Sequence, residues 1–172
     1  MNKRGQLLNS YPGVLLLGDW HGEEVTLEFF ESVKEELVLH HHCNAFTLND
    51  IKAKMDDASA DTPEISTAQI RDKGLDEADI VLWVDGDGKG TVSESSVICG
   101  NPGWNSKCLP LVKGKPQDHE TILASKDYLK DFDNDIIYYD SIDELRALLV
   151  QRGQHASRVW VKTQLAGERT AD

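Results

Sequence analysis

The chain has 172 residues, 40% apolar and 28% charged, with a formal net charge of −12 and a pI near 4.8, enough for one domain with its own core. Such a surplus of carboxylates argues against nucleic acid as a partner, because binding a polyanion backbone needs clustered Lys and Arg. No apolar run approaches the roughly 20 residues that span a bilayer, so no membrane partner is expected; the three cysteines, Cys43, Cys99 and Cys108, sit in apolar settings and fit reduced thiols in a cytoplasmic protein.

The start is basic, but its first apolar run is too short for a secretory core. That run, Val14–Leu17, lies between Pro12–Gly13 and Gly18, as expected of a parallel strand buried on both faces. After the loop G-D-W-H-G-E-E, the stripe Val25, Phe29, Val33 and Leu37 predicts an amphipathic helix over 25–39. H-H-C-N-A-F-T-L reads as a second strand near an edge. Residues 49–67, polar and containing Pro63, read as a long loop with a short helix around 50–55. Ser66 or Thr67 caps a helix through Ile70 to about Glu77, and Ala78–Val84 is the third strand. A helix over 91–99 follows, closed by G-N-P-G. Then come a strand at 108–112, a helix over 120–132 and a strand at 135–139. Ser141 caps a last helix, 142–152, with Gly153 behind it as a stop; 159–161 is a further short strand or part of a tail. One domain, 1–165, with a flexible tail, 166–172, accounts for the chain.

Strands alternating with helices imply a parallel sheet with helices on both faces, and ligands in such sheets bind at the carboxyl ends of the strands. Two loops fall at those ends. The first carries Gly18, Asp19, Trp20 and His21, where Trp20 offers a stacking face and Asp19 or His21 a hydrogen-bonding edge. The second is D-G-D-G-K-G-T, with Asp85, Asp87, Gly88, Gly90 and Thr91, leading into a helix whose first turns carry Glu94. A carboxylate beside glycines that admit a sugar can act as nucleophile at an acetal-type carbon. Equally, Glu94 is a plain surface residue favoured by the helix dipole, beside glycines that only make a turn. Trp104, in G-N-P-G-W, is a second stacking wall if it lies at the same end of the sheet.

These strings resemble the nucleoside 2-deoxyribosyltransferase family over most of Val14–Lys113. The quoted parallels are L-L-L-G-D-W for the first strand and its Gly loop, and Q-I-R-D-K-G-L-D-E-A-D-I-V-L-W for a helix with an Asp before a strand. G-K-G-T-V-S-E leads to the family's nucleophilic Glu, and K-C-L-P-L-V is the strand after it. The resemblance implies a flavodoxin-like, doubly wound sheet of about five mainly parallel strands, and a covalent glycosyl-enzyme mechanism cleaving N-glycosidic bonds. Residue by residue it places Glu94 on the nucleophile and Asp72 near the family's sugar- or base-contacting Asp. The chain departs from the family at Gly88, where relatives carry an Asp for which Asp87 or Asp85 would substitute, and at Leu16, where they carry Tyr. G-D-G-K-G-T-V-S-E also resembles part of the signature of nucleotide-monophosphate phosphoribohydrolases. Toll/interleukin-receptor-like NAD hydrolases, which carry a Glu at the carboxyl end of a related sheet, are more distant.

With Glu94 as nucleophile, Asp85 and Asp72 are the candidate acids for the leaving base. No cofactor is expected. No metal is expected either, since the consecutive His40, His41, His42 and Cys43 point to alternate sides of the backbone. The expected partner is a small nucleoside or nucleotide, and the resemblance adds a homo-oligomer. Two other classes stand beside the enzyme: a non-catalytic nucleotide-binding or sensory module, and an acidic protein-interaction domain.

Overall fold

The computed structural model describes residues 11–19, 22–58 and 65–169, with the backbone alone for Lys89 and 164–169. Five parallel strands form one sheet in the order β2-β1-β3-β4-β5: β1 (Gly13–Gly18), β2 (Asn44–Phe46), β3 (Ile80–Val84), β4 (Cys108–Lys113) and β5 (Ile137–Tyr139). This is the flavodoxin-like order expected from the sequence.

The aliphatic run of β1 is needed because both faces are covered. Val14 and Leu16 pack with Phe30, Val33 and Leu37 of α1 (Leu27–His40) and with Leu145 and Leu149 of α7 (Ile142–Arg169). Leu15 and Leu17 face the other way. They meet Ile51 of α2 (Leu48–Ala58), Ile70 and Leu75 of α3 (Thr67–Glu77), and Ile98 of α4 (Lys89–Cys99). A short α5 (Pro102–Asn105) precedes β4, and α6 (His119–Ser125) lies between β4 and β5. Among the described residues no helix is long and apolar enough to cross a membrane.

Several elements differ from the sequence expectation. The second strand is only Asn44–Phe46. Most of the supposed loop after it is α2, whose start is fixed by Asp50 Oδ2 accepting from the Thr47 amide at 2.8 Å and the Thr47 hydroxyl at 3.1 Å. Pro63 lies outside the described residues. The helix expected over 120–132 divides into α6 and a 3₁₀ turn, Asp127–Asp131, where the backbone leaves helical geometry at Lys126 (φ −125°, ψ 67°).

The largest correction is α7, 28 residues or about 42 Å long. Gly153 does not stop it. A Cβ there would stand 2.5 Å from Leu37 Cδ2, so this glycine lets α1 and α7 pack closely. Val159–Val161 is therefore helical, as are residues 166–169 of the expected flexible tail; 170–172 lie outside the described residues. Ser66 caps α3 as expected, in a reciprocal pair with Gln69.

Candidate functional site at the sheet switch point

β1 and β3 are neighbours, with β2 to one side and β4 to the other, so their carboxyl ends form the switch point where open parallel sheets bind ligands. The two ends are locked together sterically. Gly18 pairs with Val84 at φ +158°, and a Cβ there would lie 2.6 Å from the Val84 carbonyl oxygen, so only glycine fits. Asp19 then reaches into the second loop. A Cβ on Gly86 would stand 2.5 Å from Asp19 Cβ, and one on Gly88 would stand 2.5 Å from Asp19 Oδ2. Two of the glycines read as ligand-admitting thus admit Asp19. Gly90 is different: among the described residues, nothing lies within 4 Å of its Cβ direction.

Gly88 is the N-cap of α4 and gives it no side-chain cap. The Asp19 carboxylate lies beside it, where the dipole of a helix start favours negative charge. Thr91, in the first turn, is 3% exposed, and its Oγ1 has no hydrogen-bond partner among the described residues.

Glu94 is half-buried, one turn further on. The indole N–H of Trp83, a fully buried residue near the end of β3, donates to Glu94 Oε2 at 2.9 Å. Trp83 is itself wedged against Phe132 (ring centroids 4.9 Å) and edge-on to Tyr128 (6.5 Å). Burial pushes the Glu94 carboxyl above its ordinary value. The Trp83 bond and the Arg71 charge oppose that push, and the Asp19 charge adds to it. Glu94, Arg71 and Asp19 therefore share one electrostatic field.

The other two catalytic candidates are occupied. Asp72 accepts two bonds from its neighbour Arg71, at 2.9 and 2.7 Å. The member of that pair whose charge reaches Glu94 is Arg71. Asp85, with its side chain 1% exposed, accepts from Lys126 Nζ at 2.5 Å on one oxygen and from the Tyr128 hydroxyl at 2.7 Å on the other. Burial raises the Asp85 carboxyl, while these two donors pull it down. Its geometry is that of an anchor holding the 126–131 segment to the end of β3. Asp87 is fully exposed, 3.5 Å from the same lysine.

Trp104 is not part of this end. It lies on α5, before β4 begins, and donates to Asp76 at 2.8 Å near the close of α3, at the amino ends of the strands. Trp20 and His21 lie outside the described residues. Lys113, at the end of β4, and Lys115, just after it, are paired with Glu24 (2.9 Å) and Asp140 (3.4 Å). His119 Nδ1 lies 2.7 Å from the Tyr138 hydroxyl. Among the described residues no cluster of His, Cys, Asp and Glu is suited to a metal ion.

Four residues that shape the site carried little sequence signal: Arg71, Trp83, Lys126 and Tyr128. Trp83 was the most legible, a single indole in an otherwise aliphatic strand whose N–H needs a buried acceptor. Lys126 and Tyr128 come from a segment more than 40 residues away from Asp85 in sequence, beyond any spacing rule. No protein-family model and no curated protein sequence matches the chain.

Proposed function

We propose that this protein cleaves or transfers the N-glycosidic bond of a nucleoside or nucleotide, with Glu94 as the nucleophile. One observation carries this reading: a half-buried carboxylate at the switch point of the sheet, oriented by a buried indole N–H and sharing its field with Arg71 and Asp19. An exposed helix-start glutamate would have neither a fixed rotamer nor a perturbed carboxyl.

The chemistry is a double displacement. A Glu94 carboxylate oxygen attacks C1′ as the C1′–N bond breaks, and the bonding pair leaves on the base nitrogen, which takes a proton. Water, or the nitrogen of a second base, then attacks C1′ and releases Glu94, giving hydrolysis or transfer respectively. Asp85 and Asp72 are poor donors for the leaving base, since one is held on both oxygens by Lys126 and Tyr128 and the other is bound to Arg71. Asp19 is the second carboxylate of the site in this reading, placed to bond sugar hydroxyls or protonate the base. Arg71 helps keep Glu94 ionised against the effect of burial.

The test is chromatography of free bases after incubation with a panel of nucleosides and nucleoside monophosphates, with and without a second base as acceptor. Wild type releases a base, while Glu94→Gln, folded as judged by circular dichroism, loses at least about a hundredfold in rate. Base release by the variant at the wild-type rate would refute the assignment. Tight binding of a nucleotide without turnover by wild type would favour a sensory module instead.

A further inference from the structure

Features that the switch-point site does not use gather at the opposite side of the molecule, along the distal half of α7. From Leu145 to Gly167 the chain has no Asp or Glu, yet it carries Arg146, Arg152, Arg158 and Lys162. Arg146 is paired with Glu36 at 2.9 Å. Arg152, Arg158 and Lys162 form no ion pair among the described residues, whereas Lys34, Lys73, Lys113 and Lys126 are all paired.

Arg158 and Lys162 border a groove of about 400 Å³ between α7 and the end of α1, with His40, His41, His42 and Val161 along it. Of the exposed large apolar side chains among the described residues, Val161 lines the groove, Val38 and Leu39 stand in the last turn of α1 just before His40, and Val159 lines a separate cavity with Trp160. Its walls are held in place. Ser157 donates to the His42 carbonyl at 3.3 Å, the Cys43 thiol donates to the Gly153 carbonyl at 3.1 Å, and His42, at φ 53°, stacks on Tyr11 at 5.3 Å.

We propose that this groove docks an acidic, partly apolar segment of a partner protein. Its carboxylates would meet Arg158 and Lys162, and its apolar side chains would cover Val161. Charge complementarity selects this occupant. In a chain of net charge −12, an acidic partner is repelled elsewhere and attracted to Arg158 and Lys162, which form no ion pair among the described residues, and this also fixes its orientation. A symmetric second copy would bring Arg158 and Lys162 against their own equivalents. An anionic bilayer favours protruding apolar side chains over a concave surface, and would repel the rest of the chain.

The test uses the full chain and a short fluorescein-labelled peptide with Glu on one helical face and Leu on the other, followed by anisotropy at neutral pH. Control peptides carry Lys for Glu or Ser for Leu. The Glu–Leu peptide is expected to bind, to weaken with added salt, and to lose about tenfold or more in affinity to Arg158→Glu/Lys162→Glu, both controls binding more weakly still. Both substituted side chains are exposed and form no ion pair among the described residues, so the variant should melt like wild type. Equal binding by variant and wild type, or equal binding of the Ser peptide, overturns the proposal. So does stronger binding to phosphatidylserine vesicles than to the peptide. A wild-type dimer in sedimentation that the charge reversal abolishes would assign the groove to self-association and overturn it too.

Discussion

The Trp83–Glu94 bond can be isolated from everything around it by a double-mutant cycle. Trp83→Phe removes the indole N–H that donates at 2.9 Å and leaves an aromatic ring against Phe132. Glu94→Met removes the acceptor at nearly constant length. Trp83→Phe also opens space in a fully buried position, on the order of 1 kcal/mol or more, but that contribution appears on both sides of the cycle and cancels. A hydrogen bond to an ionised carboxylate contributes about 1.5–3 kcal/mol, and one to a neutral acid about 0.5–1.5. Urea unfolding of the four proteins should therefore give a coupling of about 2 kcal/mol at pH 8, shrinking to about 1 kcal/mol at acid pH, where Glu94 is protonated. Glu94→Gln separates charge from hydrogen bonding. Burial raises the Glu94 carboxyl, so its contribution to stability is full below the unfolded carboxyl value and is lost as pH rises through the folded value. Glu94→Gln, which does not titrate, should thus gain stability relative to wild type between acid and neutral pH. A coupling below about 0.5 kcal/mol at both pH values would show that Trp83 does not hold Glu94, and the proposed orientation of the nucleophile would fall with it.

Two further substitutions probe the frame of the site. Lys126→Met strands the buried Asp85 carboxylate with one donor and should cost about 3–5 kcal/mol, read as a drop in the urea midpoint, with most of it restored by Asp85→Asn in the same chain. An unchanged midpoint would mean that the 126–131 segment is held by other contacts. Gly153→Ala adds about 1 kcal/mol of helix propensity but drives a methyl into Leu37, at about 1–3 kcal/mol. The single variant should therefore melt a few degrees low, whereas the same change in a Leu37→Ala background should raise the melting temperature.

The sheet was legible because its strands are buried on both faces and so read as uninterrupted apolar runs: Val14–Leu17 and Ile80–Val84 could be little else. The helix α3 was legible from the spacing of Ser66 and Gln69. The site was legible only where local order sufficed, at Gly18, Asp19 and Glu94. Residues brought in from distant segments, Lys126 and Tyr128, left no local trace. The misreading of Gly153 as a stop and the packing at Gly86 have one cause. A glycine signals that a Cβ is unwelcome, and the sequence does not say whether a turn, a ligand or another side chain excludes it. At Gly153 it is Leu37, at Gly86 it is Asp19, and both partners are remote in sequence.

The interlock of Asp19 with Gly86 and Gly88 constrains how this chain can vary. Residues 19, 86 and 88 occupy one shared volume, so a larger residue at either glycine requires a smaller one at 19. Gly88→Ala should be harmful by itself and tolerated beside Asp19→Gly. Substitutions that shrink residue 19 would open a hollow in front of α4, below the buried Thr91 hydroxyl, and so change what the site can hold while leaving Glu94 itself in place.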